Sequence, residues 1–230
     1  MNKLAQLTGT VWDMDGCVYE YTQGFVDGCQ KAAVDAVRAF IPSLADVEYS
    51  VLHDRAWNSY LKHGSSITCF ANEYGLDHDE VNAVYHSYLN PNHISPLRSL
   101  PLAFKRAVKG GHKVCLATHS HMNFASRMIG HLKLHNSFNM HANMLTLEQF
   151  GVHHMKDKTA QMVTEAAKVM GENVRNIALV EDTARNLIPA KDAGATTILV
   201  HWGKVPDKKP THVDYMFRTP VEVLKFVRRA

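Results

Sequence analysis

Hydrophobic and polar positions change their spacing several times along the chain. Between residues 8 and 14, β-branched and aromatic side chains run straight into Asp13 and Asp15, and Gly16 follows at once. That is the pattern of a strand ending in a turn, with acids at its carboxyl end. From about residue 18 to 97 apolar positions recur at intervals of three and four, as in the stripe Ala32, Ala33, Ala36, Val37 and Phe40 ahead of Pro42. Further helices are predicted over 46–62, stopping before Gly64, and over 66–74, stopping at Gly75. Asp77, three residues before Glu80, resembles a capping box for a helix carrying Val81, Val84, Tyr85 and Tyr88. Pro91 and Pro96 bracket the exit from a stretch that reads as a small all-helical domain.

After Pro101 the period alternates. Helices are predicted over 102–109, 123–132 and 159–170, strands over 113–118, 176–180 and 196–200, and a weaker strand over 138–145. Strands alternating with helices of this length predict an α/β fold, with a mainly parallel sheet covered by helices on both faces. Ligands bind such sheets outside the strands' carboxyl ends. The residues expected there are Asp13 and Asp15, Thr118 with His119 and Ser120, and Glu181 with Asp182, while Lys158 stands just ahead of a helix.

The composition narrows the function classes. With 230 residues and 46% hydrophobic content the chain can bury a real core, and 20% charged residues leave no case for disorder. A net charge of +3, with the basic residues scattered, gives no expectation of a nucleic-acid partner. No run approaches the roughly 18 apolar residues of a spanning helix, and the lead into the first strand lacks the pattern of a secretory signal. The expected setting is therefore cytoplasmic, with no membrane partner. Cys17, Cys29, Cys69 and Cys115 lack close pairing and read as reduced thiols, and the fifteen histidines show no metal-ligand spacing.

Moving a phosphoryl group requires a nucleophile, a proton donor for the leaving oxygen, and positive charge to offset the phosphate. Residues two apart on a strand share a face, so Asp13 and Asp15 are expected to point into one cleft, one attacking phosphorus and the other handling the proton. The run Asp13-Met14-Asp15-Gly16 resembles the first motif of the haloacid dehalogenase superfamily. Thr118-His119-Ser120 is similar to its second, with His119 where many relatives carry asparagine. The stretch 180–195, VEDTARNLIPAKDAGA, is similar to its acidic fourth motif, and Pro189, tolerable only in a helix's first turn, predicts a helix start near Asn186.

The resemblance implies a Rossmann-like core over 1–17 and 98–230, and a helical cap of the type 1 kind over 18–97. It implies Asp13 as the residue that becomes an aspartyl phosphate, Asp15 as acid and base, Thr118 and its neighbours His119 and Ser120 as phosphate contacts, and a lysine that neutralises both nucleophile and phosphate. Lys158 is preferred to Lys156 for that lysine, although the K-P-x-P of many relatives is missing. Two adjacent carboxylates at a buried strand end call for a cation, and Mg2+ suits oxygen ligands. Its expected ligands are Glu181 and Asp182, to which the resemblance adds Asp13 and the backbone carbonyl of Asp15.

The activity implied is hydrolysis of a small-molecule phosphomonoester, a nucleoside monophosphate or sugar phosphate, with the nearest likeness to pyrimidine 5'-nucleotidase-like phosphatases. A phosphosugar mutase would use the same parts. A non-catalytic binding protein predicts loss of at least one chemical group, and none of the expected ones is missing. In the cap, His53, Trp57, Tyr60 and Phe70 are either substrate selectors or helix packing. The oligomeric state is not readable from the sequence.

Overall fold

The computed structural model describes residues 7–228. Residues 1–6 and 229–230 of the expected core, including the segment read as lacking a secretory signal, lie outside that description. The described residues divide into two compact units, 7–20 with 95–228, and Tyr21–Ile94. The expected borders lay three residues away on each side, at 17/18 and 97/98. Cys17, Val18 and Tyr19 stay with the first unit, where the Val18 N–H donates to the Met14 carbonyl at 3.0 Å and the Tyr19 hydroxyl to Asp15.

The unit Tyr21–Ile94 holds α1 (Gln23–Phe40), α2 (Tyr49–His63), α3 (Thr68–Tyr74) and α4 (His78–Tyr88). Thr22 caps α1 by accepting from the Phe25 N–H, and Asp77 caps α4 by accepting from the N–H groups of Asp79 and Glu80. Helices α2 and α3 end where Gly64 (φ 74°) and Gly75 (φ 62°) enter the left-handed region that glycine tolerates best. Ala33, Val34 and Val37 pack with Leu52, Ala56, Phe70 and Val81 as the core of this unit. Phe70 is therefore packing, whereas Trp57 and Tyr60 stack at 5.7 Å and remain partly exposed.

In the other unit β1 (Gly9–Trp12), β2 (Lys113–Thr118), β3 (Met144–Thr146), β4 (Ile177–Glu181), β5 (Thr196–Val200) and β6 (Tyr215–Phe217) form one parallel sheet in the order β3-β2-β1-β4-β5-β6. The chain winds outward from β1 in both directions, so the strand order reverses beside it. That reversal opens a crevice at the carboxyl ends of β1, β2 and β4. Helices α5 (Leu100–Lys109), α6 (Met122–His131), α7 (Gln161–Val169), α8 (Ile188–Asp192) and α9 (Pro220–Val227) accompany the sheet.

Successive residues of β1 point to opposite faces. Val11 packs with Met162, Val163 and Ala166 of α7, whereas Trp12 meets Phe104 of α5 edge-on at 4.9 Å. Beneath Trp12 its indole N–H donates to the Thr10 hydroxyl at 2.7 Å, and that hydroxyl lies 3.1 Å from His112 Nε2. Burial pushes the His112 pKa down to about 4, so the buried ring is neutral.

Two sequence expectations need correction. The strand predicted over 138–145 shortens to β3, because the side chains of Asn139 and Asn143 turn the backbone first: Asn143 accepts from the Asn139 N–H at 2.7 Å, and Asn139 from the His141 N–H at 2.8 Å. The helix expected to start near Asn186 is preceded by a 3-10 turn over Ala184–Leu187 and starts at Ile188, with Pro189 in its first turn.

Candidate active site

The site is assembled by strand ends. The Asp13 N–H donates to the Val180 carbonyl at 2.9 Å, so the β1–β4 ladder extends to the first acid. Strand β1 itself stops at Trp12, and Asp15 sits in the following turn rather than on the strand. Hydroxyls hold it instead. Thr118 Oγ1 and Ser120 Oγ donate to Asp15 Oδ2 at 3.1 and 2.7 Å, and the Tyr19 hydroxyl donates to Oδ1.

The structure brings Lys156, rather than the preferred Lys158, to the acids. Lys158 is exposed, with its ammonium on the Val152 carbonyl at 2.9 Å. Lys156 is buried, and its ammonium donates to Asp13 Oδ1, to Glu181 Oε1 at 2.9 Å and to the Ala117 carbonyl at 3.0 Å. Three acceptors match three N–H bonds, which is what a buried ammonium requires. The backbone turns between the two lysines, the N–H groups of Lys158 and Thr159 both returning to the Met155 carbonyl, and the side chain of Lys158 is left outside.

At the end of β4, Glu181 is buried and fully engaged. Besides Lys156 it accepts from Asn186 Nδ2 at 2.6 Å and from the Thr183 N–H at 2.8 Å. Asp182 is half-buried and less committed, accepting from Thr183 Oγ1 at 3.3 Å. Asp13, Glu181 and Asp182 each bring one carboxylate oxygen into a group whose members lie within 4.8 Å of one another.

Electrostatics follow from four carboxylates gathered around one ammonium. Burial, then the charges of Glu181 and Asp13, push Asp182 up to about 9. Asp13 is raised well above the usual carboxylate range by burial and by Glu181 and Asp15, against the pull of Lys156. Burial raises Asp15 as well, and its hydroxyl donors offset part of that. Burial alone would raise Glu181, but Lys156, Asn186 and the Thr183 N–H hold it below its ordinary value. Burial opposes charge on Lys156 too, yet Asp13 and Glu181 outweigh it and keep the ammonium charged. The surplus of buried negative charge and the cluster of oxygen donors fit a hard divalent cation.

Sequence reasoning passed over several contributors. Tyr19 and Asn186 each reach an acid four or five residues away, a spacing that carries no motif of its own. Cys17 lies beside the acids, but burial and the nearby charges of Asp13, Glu181 and Asp182 hold its thiol well above the usual range, leaving it protonated and unreactive. Trp202 donates its indole N–H to the Gly16 carbonyl at 2.7 Å and has φ +49°, unusual outside glycine. Nothing in the sequence flags it.

No family sequence model matches the chain, and no curated protein matches it. Among solved structures it is similar to a HAD phosphatase from Thermococcus onnurineus, at 15% identity and a TM-score of 0.68, over 96% of this chain and 98% of that one. It is also similar to CbbY from Rhodobacter sphaeroides in complex with phosphate, at 13% identity and 0.66, over 94% and 96%. A third likeness is to L-2-haloacid dehalogenase from Xanthobacter autotrophicus, at 13% identity and 0.57, over 96% and 98%. Together with the parallel sheet and the place of the helical unit in the chain, these likenesses establish that this protein has the fold of the haloacid dehalogenase superfamily.

Proposed function

We propose that this protein is a Mg2+-dependent phosphatase that hydrolyses a small phosphomonoester through a phosphoryl group carried on Asp13. The observation that carries this reading is the convergence of Asp13, Asp15, Lys156 and the Glu181–Asp182 pair at neighbouring strand ends. Asp13 attacks phosphorus and displaces the leaving alkoxide, which takes a proton from Asp15. Asp15 then draws a proton from the water that releases the phosphate. Its contacts with Thr118, Ser120 and Tyr19 hold the carboxyl in place through both steps. Lys156 offsets the charge on Asp13 and on the incoming phosphate.

Asp13 and Asp182 would hold the cation, with the Asp15 carbonyl as the further ligand the resemblance implies, while Glu181 anchors Lys156. A bound divalent cation supplies charge stabilisation for the phosphoryl oxygens.

A dehalogenase is the competing reading, supported by the likeness to the L-2-haloacid dehalogenase. That chemistry has no alkoxide to protonate and leaves the three hydroxyls around Asp15 without a purpose. A nucleoside monophosphate or sugar phosphate remains the proposed substrate class, with phosphoryl return to substrate, as in a mutase, the variant that product analysis separates.

The test is hydrolysis of p-nitrophenyl phosphate, and then of a panel of nucleotides and sugar phosphates, with Mg2+ and with EDTA. Turnover should vanish on chelation and return with Mg2+, and Asp13→Asn should lower it by about 10^4 or more, the scale on which nucleophile loss acts. Full-rate cleavage by Asp13→Asn would end the proposal, and so would inactivity of the native protein on every phosphomonoester alongside chloride release from a 2-haloacid.

A further inference from the structure

The end of β2 addresses its partners in strict alternation. The Ala117 carbonyl accepts from the Lys156 ammonium, Thr118 donates to Asp15, His119 Nε2 accepts from the Lys156 backbone N–H at 2.9 Å, and Ser120 donates to Asp15. Lys156 is thus gripped twice by one strand end, at its ammonium by residue 117 and at its backbone by residue 119. The imidazole can do this only with Nε2 unprotonated, and then Nδ1 carries the hydrogen.

We infer that His119 is a positioning residue for Lys156, and that its ring fastens the 152–158 segment to β2 instead of contacting the phosphate as the sequence led us to expect. The inference rests on the phosphatase reading for its catalytic consequence, but not for its geometry. The segment contains no proline to fix its course. It folds back on itself at Met155, whose carbonyl accepts from the N–H groups of Lys158 at 2.8 Å and Thr159 at 3.1 Å. That self-contained turn would leave its placement against β2 to side chains. The His119 bond is a specific tie to β2 made by the backbone of the lysine itself. Burial, reinforced by the charge of Lys156, pushes the ring's pKa down to about 3, so the acceptor persists across the working pH range.

Two measurements test this. The first needs no activity: long-range nitrogen NMR of the native protein should report Nε2 as the unprotonated nitrogen of His119, and the Lys156 amide should exchange slowly with solvent. In His119→Ala that amide should exchange at least tenfold faster relative to neighbouring amides. In His119→Gln, whose side-chain oxygen reaches about as far as Nε2, it should return close to the native rate. A protonated Nε2, or equally slow exchange in the alanine variant, overturns the inference.

The second is a double-mutant cycle on aryl phosphate hydrolysis. His119→Ala should lose roughly 10- to 100-fold in kcat/KM, a loss of the size expected when a charged group is misplaced. His119→Gln should recover most of it, and His119→Ala should add little to Lys156→Met. Losses that multiply in the double variant would assign His119 a contact of its own and sink the positioning role. Should the native protein hydrolyse no phosphomonoester, the function reading fails while the NMR measurement still decides the geometry. If the alanine variant does not fold, the nitrogen tautomer and the glutamine variant decide it.

Discussion

At the scale of single residues, the two lysines separate what spacing reveals from what it hides. Asp13, Asp15, Thr118, Glu181 and Asp182 were legible because strand ends gather them whatever the loops do. The lysine comes from a loop, and a two-residue difference there is decided by a turn that no periodicity records. Lys156→Met should lower turnover of an aryl phosphate by roughly 10^2- to 10^3-fold, the range for removing one preorganised electrostatic group. Lys158→Met, with its ammonium on the Val152 carbonyl at the surface, should stay within a few-fold of native. Steady-state kinetics on the pair checks the assignment, and the reverse order of effects would restore Lys158. Trp202→Phe tests the contact that the sequence did not announce. It removes the indole N–H from the Gly16 carbonyl while keeping most of the ring's bulk. It should cost about 1 kcal/mol in urea unfolding, the usual worth of one hydrogen bond. Stability equal to native would show that the bond contributes nothing.

At the scale of elements, the sequence was clearest where a local rule had no competitor. Gly64 and Gly75 end helices because few other residues accept their dihedral angles cheaply, and Asp77 starts one because its carboxylate reaches two free N–H groups. Strand β3 was overestimated because Asn139 and Asn143 make a turn inside an apolar run. Strand β6 went unread, since three half-buried residues carry no alternation to detect, whereas α9, with Thr219 as its cap and buried positions 220, 223, 224 and 227, had a helical signal that was passed over. The junction of β1 and β2 carries a pH prediction. His112 has a folded pKa of about 4, below the ordinary value of 6.5, because burial disfavours its charge. On acidification the unfolded chain therefore takes up the proton first. The stabilisation is complete above about pH 6.5 and is lost as pH falls through that value toward 4. Lowering the pH from 7 to 5 should cost the native protein about 2 kcal/mol through this one group, on the linkage scale of 1.36 kcal/mol per pKa unit. Urea unfolding of native protein and His112→Asn at both pH values checks it. An identical pH slope in the two proteins would remove His112 from the account.

At the scale of the whole molecule, the change of period read from the sequence placed borders at 17/18 and 97/98, and the two compact units of the structure meet at 20/21 and 94/95. Cys17, Val18 and Tyr19 follow the turn signal at Gly16 yet group with the sheet unit, Val18 tied to Met14 and Tyr19 to Asp15 by hydrogen bonds. No described helix is long and apolar enough to cross a membrane. Among the described residues, one hydrophobic cluster includes Val11, Ala117 and Leu179 and another includes Val34, Val37 and Phe70, with no residue in common. Hydrogen exchange should therefore resolve two sets of amides with different opening free energies, one for Tyr21–Ile94 and one for the sheet. A single common value for both would mean that the protein unfolds as one cooperative block.

The strand order also governs how a growing polypeptide can reach this state. Strand β1 comes first in the chain but lies between β2 and β4, which begin at Lys113 and Ile177. While a ribosome is still making those later segments, the apolar run before Asp13 has neither neighbour, and only the helical unit has its own contacts complete. Strand β1 thus stays without either neighbour until both are made, a window in which chaperones or slow misassociation can act on it before the acids meet.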